Sequence, residues 1–174
     1  WFSGELDIFL GFHRLAINGL NDNSNQPFII NGCMLVCNGE IYNFKELYNT
    51  FLKDIKPETN SDCEVIIQMY LKYGIEYTVS NLDGEFAFIL IDTNQKKVYA
   101  ARDPYGVRPL FILNKTTESE RCFNILGFSS ELKQIHSIYQ FLNANYNLTQ
   151  TFQETYENMK IKYSINQFKP GNYL

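Results

Sequence analysis

The sequence contains no apolar run that approaches the ~18 to 20 residues needed to cross a bilayer. It is also poor in the residues that keep chains unfolded, since glycine and proline supply 10 and 5 of the 174 positions and the charged fraction is 20%. These figures argue against disorder, collagen-like repeats and low-complexity linkers. A hydrophobic fraction of 45% is enough for a packed core, so we expect one folded domain.

Clustered positive charge is missing as well. The net charge is −4, and the longest basic run is the pair Lys96-Lys97. Nucleic acids and anionic membranes are recognised by basic patches, so we expect neither as a partner. The sequence also lacks a Gly-rich phosphate loop, a G-x-S-x-G motif and an H-E-x-x-H motif, which removes support for nucleotide binding and for the common hydrolase classes.

Cysteine and histidine are few: Cys33, Cys37, Cys63, Cys122, His13 and His136. Without a leading signal peptide, four cysteines in a chain of this size indicate reduced thiols, and we expect a cytoplasmic protein. A metal site or a Cys-His dyad is the alternative, but only Cys33 and Cys37 are closely spaced, and their spacing is not that of a zinc pair. Residues four apart in a strand face the same side, so buried core thiols are the favoured interpretation.

Short apolar runs bounded by turn residues predict most of the strands. The predicted strands are 8–12, 14–17, 28–30, 33–37, 86–91, 97–101, 110–113 and 123–128. Asn31-Gly32 separates two of them and predicts a type I′ hairpin, in which both central residues need a positive φ.

Helix starts are indicated at Asn43 and Ser61, because each is followed three residues later by glutamate in a capping-box pattern. The second helix is predicted to end at Gly74. Further helices are predicted at 130–135 and 152–160. Strands with interspersed helices and tight turns predict a layered α/β or α+β domain with mainly antiparallel sheets.

The pair Asn38-Gly39 follows an apolar strand and allows two interpretations. It is either a second turn, the common use of Asn-Gly, or an oxyanion site in which the asparagine amide and the glycine N–H donate together. Arg14 is either a surface arginine or a fork for a substrate carboxylate. Asp62 is either a helix-start residue favoured by the helix dipole or the partner of a substrate ammonium.

Eight segments of the chain, taken in order, closely resemble the class II, N-terminal-nucleophile glutamine amidotransferase domain of glutamine-hydrolysing asparagine synthetases. The segments are 13–17, 25–27, 38–43 (Asn-Gly-Glu-Ile-Tyr-Asn), 61–66 (Ser-Asp-Cys-Glu-Val-Ile), 82–88, 101–110, 129–133 and 169–174. Single segments are weak signals, but eight in the family's order are poorly explained by chance.

The resemblance implies an α+β fold of four layers, α/β/β/α, with two stacked, mainly antiparallel sheets, and it implies hydrolysis of glutamine to glutamate and ammonia. By the family's pattern Arg14 binds the glutamine α-carboxylate, Asp62 binds its α-ammonium, and Glu40 lines the amino-acid pocket. The Asn38 side chain and the Gly39 N–H stabilise the tetrahedral oxyanion. This domain needs no cofactor or metal, whereas ATP and magnesium serve a C-terminal synthetase domain expected in the same polypeptide.

The sequence departs from the family at the nucleophile. The family uses a cysteine at the mature N-terminus, and the numbered chain begins at Trp1. We therefore expect residues 1–174 to be an amidotransferase domain without its N-terminal strand and without the synthetase domain, and inactive alone. A homodimer of the complete protein is left open. The alternative is a catalytically dead binding or regulatory module. The stretch 141–167 is interpreted as an insertion.

Overall fold

The computed structural model describes residues 2–3, 8–13, 22–117, 120–150 and 161–174. It divides the chain into two compact units, one of Trp1–Arg108 with Pro170–Leu174 and the other of Pro109–Lys169. Each unit is described by itself below.

The first unit is built on a four-stranded antiparallel sheet. Its elements are β1 (Phe2–Ser3), β2 (Ile8–Phe9), β3 (Phe28–Ile30), β4 (Cys33–Ile41), α1 (Phe44–Phe51), α2 (Glu64–Asn81), β5 (Gly84–Asp92) and β6 (Lys97–Arg102), with a short 3-10 turn at Asp22–Ser24. The strand order of the sheet is β3-β4-β5-β6, and β1 pairs with β2 separately. The predicted strand 8–12 is shorter than expected, and 14–17 lies outside the described residues.

The hairpin between β3 and β4 has the predicted turn. Asn31 and Gly32 have φ angles of 49° and 76°, and Ile30 pairs with Cys33 directly across the two-residue loop. Positive φ at both central residues is the mark of a type I′ turn, whose twist suits the flanking strands. The hairpin prediction is confirmed.

Side chains alternate between the two faces of this sheet. On one face Leu35 is fully buried in a cluster that includes Ile66 of α2. On the other face Met34 and Ile91 pack with Leu10. Fully burying an aliphatic side chain of this kind contributes about 1.5–3 kcal/mol, so both faces of β4 and β5 stabilise the unit.

Three of the four cysteines belong to this core. Cys33, Cys37 and Cys63 are free and buried, which confirms the prediction for them, whereas the side chain of Cys122 is not among those described. Burial, reinforced by the nearby Asp92 carboxylate, raises the pKa of Cys33 to about 11. Within the described ranges, no group of three or more His, Cys, Asp or Glu side chains is arranged to hold a metal ion.

Asn43 is the N-cap residue of α1, so the predicted helix start is confirmed, whereas the predicted side-chain cap is not formed. Its side chain makes no capping hydrogen bond. Instead its Nδ2 donates to Asn81 O at 2.8 Å, and its Oδ1 accepts from Asp83 N at 3.0 Å. Because two backbone groups from the end of α2 compete for the amide, the side chain ties the start of α1 to the end of α2.

The capping box predicted for Ser61 and Glu64 is not formed. Cys63 is the N-cap of α2, and the Glu64 carboxylate accepts hydrogen bonds from Glu58 N at 2.9 Å and Thr59 N at 2.6 Å. Glu64 is fully buried, and a buried carboxylate needs such donors. Its side chain therefore holds the preceding loop rather than closing the helix.

The helix end predicted at Gly74 is confirmed, because α2 consists of two helical segments that meet at this residue. Gly74 has φ 79° and ψ 173°, outside helical geometry, and the second segment continues to Asn81. Glycine permits a positive φ at low cost, so the first segment can end here.

In the part of the second unit that the structure describes, a three-stranded antiparallel sheet is accompanied by one helix. Its elements are β7 (Phe111–Thr117), β8 (Glu120–Ser129), α3 (Leu132–Gln150) and β9 (Ile161–Gln167), and the strand order is β8-β7-β9. The strand predicted at 110–113 therefore does not continue the meander of β5 and β6. The stretch 141–167 includes the second half of α3 and all of β9, while the helix predicted at 152–160 lies outside the described residues.

The predicted α+β class, with helices and two larger antiparallel sheets, is confirmed. Of the helices that the structure describes, none is both long enough and apolar enough to pass through a membrane.

Candidate functional site

The site forms along an edge of β4 that no neighbouring strand covers in the described part of the chain. Strand β3 pairs with β4 only at Cys33, Met34 and Leu35. Beyond that point the Gln26 side chain takes the place of a strand: its Oε1 accepts from Cys37 N at 2.6 Å and its Nε2 donates to Cys37 O at 3.0 Å. A carboxamide can do this because it carries the same donor and acceptor as a peptide group.

The turn before α2 docks on the same edge. Asp62 is 5% exposed, and its Oδ2 accepts a hydrogen bond from Ile41 N at 2.7 Å. The Cys63 thiol donates to Gly39 O at 3.5 Å. The sequence separation of the first pair is 21 residues, so the tertiary fold brings Asp62 to the end of β4.

Gly39 lies between these contacts. The N–H groups of Cys37 and Ile41 both point at the uncovered edge, and every second residue of a strand points its amide the same way. The Gly39 N–H therefore faces that edge too, between Gln26 and Asp62.

Only glycine fits at position 39. A Cβ there would lie 2.1 Å from Glu85 O and 2.6 Å from the Phe86 Cα. Strand β4 continues unbroken through Asn38-Gly39 to Ile41, so the interpretation of this pair as a turn is wrong. The close approach of β5 is what requires the glycine.

Asn38 and Glu40 project from the face of the sheet that carries Met34. Both residues are half-buried, and their directly opposed partners on β5 are Ala87 and Glu85. Two polar side chains thus leave one face of β4 beside an amide and a carboxylate at its edge. Such a cluster offers hydrogen-bond donors and an anion to a small polar ligand.

A rigid turn after β6 adds a cation. The Asp103 carboxylate accepts from the backbone N–H groups of Tyr105, Val107 and Arg108 at 3.0 to 3.1 Å. Burial alone would raise the pKa of Asp103, but these backbone hydrogen bonds outweigh it and lower the pKa. From this turn the Arg108 Nη2 reaches Glu85 Oε1 at 2.5 Å.

The structure brings four of the five predicted site residues together. Asn38, Gly39 and Glu40 are consecutive on β4, and Asp62 is bonded to the next residue of that strand. Arg14 lies outside the described residues. The roles assigned to all five stay predictions.

Sequence reasoning missed Gln26, Glu85 and Arg108 as neighbours of the site. All three occur in segments that carry the family resemblance, so their positions were marked without a role. Nothing in its segment indicated that Glu85 adjoins Glu40, because only the β4–β5 register places these two residues opposite each other.

The thiol nearest the site is held in its neutral form. A hydrogen bond with Cys37, then burial, then the Asp62 carboxylate raise the pKa of Cys63 well above its usual value. A thiol reacts as the thiolate, so this side chain is a poor nucleophile at neutral pH.

A family model described as a glutamine amidotransferase domain matches residues 1–174. This chain belongs to the glutamine amidotransferase domain family. The resemblance carried by the eight segments is thereby confirmed, and the edge of β4 lies in an amidotransferase domain.

The amidotransferase domain is similar to parts of longer proteins. A probable asparagine synthetase (glutamine-hydrolyzing) of Acanthamoeba polyphaga mimivirus is 41% identical over 140 residues, which cover 80% of this chain and 24% of that protein. The asparagine synthetase (glutamine-hydrolyzing) of Bos taurus is 46% identical over 152 residues, which cover 82% and 25%. The matches thus span about a quarter of the length of these two curated relatives.

Among solved structures, the glutamine phosphoribosylpyrophosphate amidotransferase from B. subtilis is similar to 53% of this chain and 23% of its own, with a TM-score of 0.47 and 27% sequence identity.

Proposed function

We propose that this domain hydrolyses glutamine to glutamate and ammonia for an enzyme of the asparagine synthetase type, in which a separate synthetase domain uses the ammonia. Family membership and the similarity to asparagine synthetases support the proposal. The observation that carries it is the uncovered edge of β4, where the Gly39 N–H lies beside the Asn38 side chain and the fixed Asp62 carboxylate.

The reaction would use these groups as follows. Attack on the carboxamide carbon of glutamine turns its oxygen into an oxyanion, which the Asn38 amide and the Gly39 N–H stabilise by donation. Preorganised donors of this kind are each worth about 2.7–4 kcal/mol. Asp62 binds the α-ammonium, Glu40 lines the pocket, and Arg14 binds the α-carboxylate, as a guanidinium does by a two-pronged hydrogen bond.

The attacking atom would come from a cysteine at the mature N-terminus that the numbered chain lacks. Burial raises the pKa of Cys33, and a hydrogen bond with Cys37 followed by burial raises that of Cys63, so neither thiol is readily ionised for the attack. An α-amine with a pKa near ~8 serves as a base at neutral pH, so an N-terminal cysteine can activate its own thiol.

The rest of the complete enzyme belongs to the same proposal. The amidotransferase domain would work without a cofactor, and ATP with magnesium would bind the synthetase domain of the same polypeptide. A cytoplasmic location is supported by the free, buried Cys33, Cys37 and Cys63. A homodimer is open to test by light scattering of the complete protein.

The test is glutamate release by the complete natural protein, with its mature N-terminal residue determined. We expect a cysteine there and measurable glutaminase activity, with Asn38→Ala lowering kcat by about 10² to 10³. Asn49→Ala, on the exposed surface of α1, is the matched control and should leave kcat unchanged. An inactive complete protein would favour the binding or regulatory module instead.

A further inference from the structure

Two carboxylates lie side by side at the site. Glu40 on β4 and Glu85 on β5 are directly opposed in the antiparallel ladder, and both are half-buried. Directly opposed side chains on one face have Cβ atoms about 4.5–5.5 Å apart, and like charges at that distance are destabilising. A glutamate at position 85 therefore needs a counter-charge if Glu40 is to stay available.

Arg108 supplies that charge from a fixed position. Its Nη2 lies 2.5 Å from Glu85 Oε1, and the two side chains are 31% and 25% exposed. Its backbone is held on both sides, because its N–H donates to Asp103 Oδ2 at 3.1 Å and its carbonyl accepts from Arg102 Nε at 2.6 Å. The turn thus presents the guanidinium to the end of the β4–β5 ladder.

The positive charge of Arg108 is paired with Glu85 and not with Glu40. Among the described residues none donates a hydrogen bond to the Glu40 carboxylate, whereas Glu85 takes the Arg108 ion pair. Glu40, Glu85 and Arg108 are nonetheless close enough for all three charges to act on the same neighbouring side chain, that of Tyr42. Partial burial and then the Glu85 and Glu40 carboxylates raise the pKa of the adjacent Tyr42, and Arg108 opposes them.

We propose that Glu85 is a positioning residue that holds Arg108 off Glu40 and so leaves the Glu40 carboxylate open to the amino-acid ligand. This inference rests on the proposed function, which places Glu40 in the glutamine pocket. Without Glu85, the guanidinium is free to pair with Glu40, which is directly opposed to position 85 in the ladder, and the resulting ion pair would compete with the ligand.

A double-variant comparison in the complete natural protein tests the inference. We expect Glu85→Ala to raise the KM for glutamine about tenfold with kcat changed less than about twofold, because a charge-assisted contact of Glu40 is lost to Arg108. Adding Arg108→Ala removes the competitor, so the double variant should return to within about threefold of the wild-type KM. Glu85→Asp keeps the carboxylate and should retain most of the affinity.

Steady-state glutamate release gives KM and kcat, and thermal melting reports folding. Where Glu85→Ala fails to fold, the isosteric Glu85→Gln takes its place in the same comparison. Glu131→Ala is the matched control, because it breaks an exposed ion pair with Lys133 of 2.8 Å and should leave KM unchanged. A double variant with a KM as high as that of the single variant would overturn the inference.

Glu40→Gln separates this inference from the proposed function. If Glu40→Gln raises the KM and Glu85→Ala leaves it unchanged, only the positioning role of Glu85 is contradicted. An unchanged KM in Glu40→Gln removes the Glu40 carboxylate from ligand binding and overturns the inference, whereas the proposed function fails only if the complete wild-type protein releases no glutamate.

Discussion

Two Asn-Gly pairs, one just before β4 and one inside it, have opposite structural roles. Asn31-Gly32 forms the two-residue turn that begins the strand, with φ angles of 49° and 76°. Asn38-Gly39 lies inside the same strand, where Gly39 pairs with Phe86 and has no room for a Cβ. The same dipeptide is therefore a turn where strands must reverse and a site where a neighbouring strand comes close.

The difference follows from what surrounds each pair. The first is flanked by strands that pair with each other, β3 and β4. The second is flanked on both sides by residues that pair with β5, out to Ile41 opposite Gly84. Ladder hydrogen bonds on either side keep the second pair extended. Gly39 has a positive φ of 158°, and the absence of space for a Cβ beside β5 is a second reason for glycine at this position.

The largest effect is expected from placing a negative charge at each asparagine. Asp-Gly forms type I′ turns as Asn-Gly does, so Asn31→Asp should change neither stability nor glutamine hydrolysis by much. Asn38→Asp would set a carboxylate against the developing oxyanion, and we expect kcat in the complete protein to fall by at least about 10³. Steady-state glutamate release measures both variants, and equal losses would contradict the assignment of Asn38.

Replacing each glycine by alanine should lower the free energy of unfolding by different amounts in the two pairs. Gly39→Ala meets the β5 backbone at 2.1 Å, which only a backbone shift can relieve, and we expect a loss of at least about 3 kcal/mol in the free energy of unfolding. Gly32→Ala has a strained φ, but its close contact at 2.6 Å is the end of the Asn94 side chain, so about 1–2 kcal/mol is expected.

Urea unfolding of both glycine variants measures this difference. A Gly39→Ala protein as stable as Gly32→Ala would show that β5 does not press on β4 as the structure has it.

The smallest effect concerns the turn that supports the second pair. Asp103 N donates to Phe86 O at 2.8 Å, so this turn braces β5 where Gly39 packs on it. Backbone hydrogen bonds lower the folded-state pKa of Asp103 despite its burial. Its contribution to stability is therefore complete above the unfolded pKa of about 3.9 and is lost as the pH falls through the lower folded value.

Asp103→Asn should accordingly cost about 1–3 kcal/mol at pH 7, and the difference from wild type should shrink as the pH falls below about 4. Urea midpoints between pH 3 and pH 7 measure it. A stability difference between wild type and Asp103→Asn that does not vary with pH would contradict a stabilising role of the ionised Asp103 carboxylate.

Local patterns predicted some of these features and failed at others for a physical reason. The hairpin at Asn31-Gly32 and the buried Cys33 depend on neighbours in sequence, and both were predicted correctly. The capping predictions failed because Asn43 and Glu64 find partners elsewhere, namely Asn81 and the loop at Glu58. A side chain bonds to the donors and acceptors that the tertiary fold brings next to it. The spacing of residues along the sequence does not show which distant groups these are.

By itself, the sequence determined the family and the antiparallel class, because motifs in a family's order and strand periodicity are properties of the chain alone, and it predicted the residues of the site. Tertiary structure alone decided that Gln26 and Asp62 complete the edge of β4 and that Glu85 with Arg108 adjoins Glu40. These contacts join segments far apart in the chain. They form only when strand register and the burial of both sheet faces have brought those segments together.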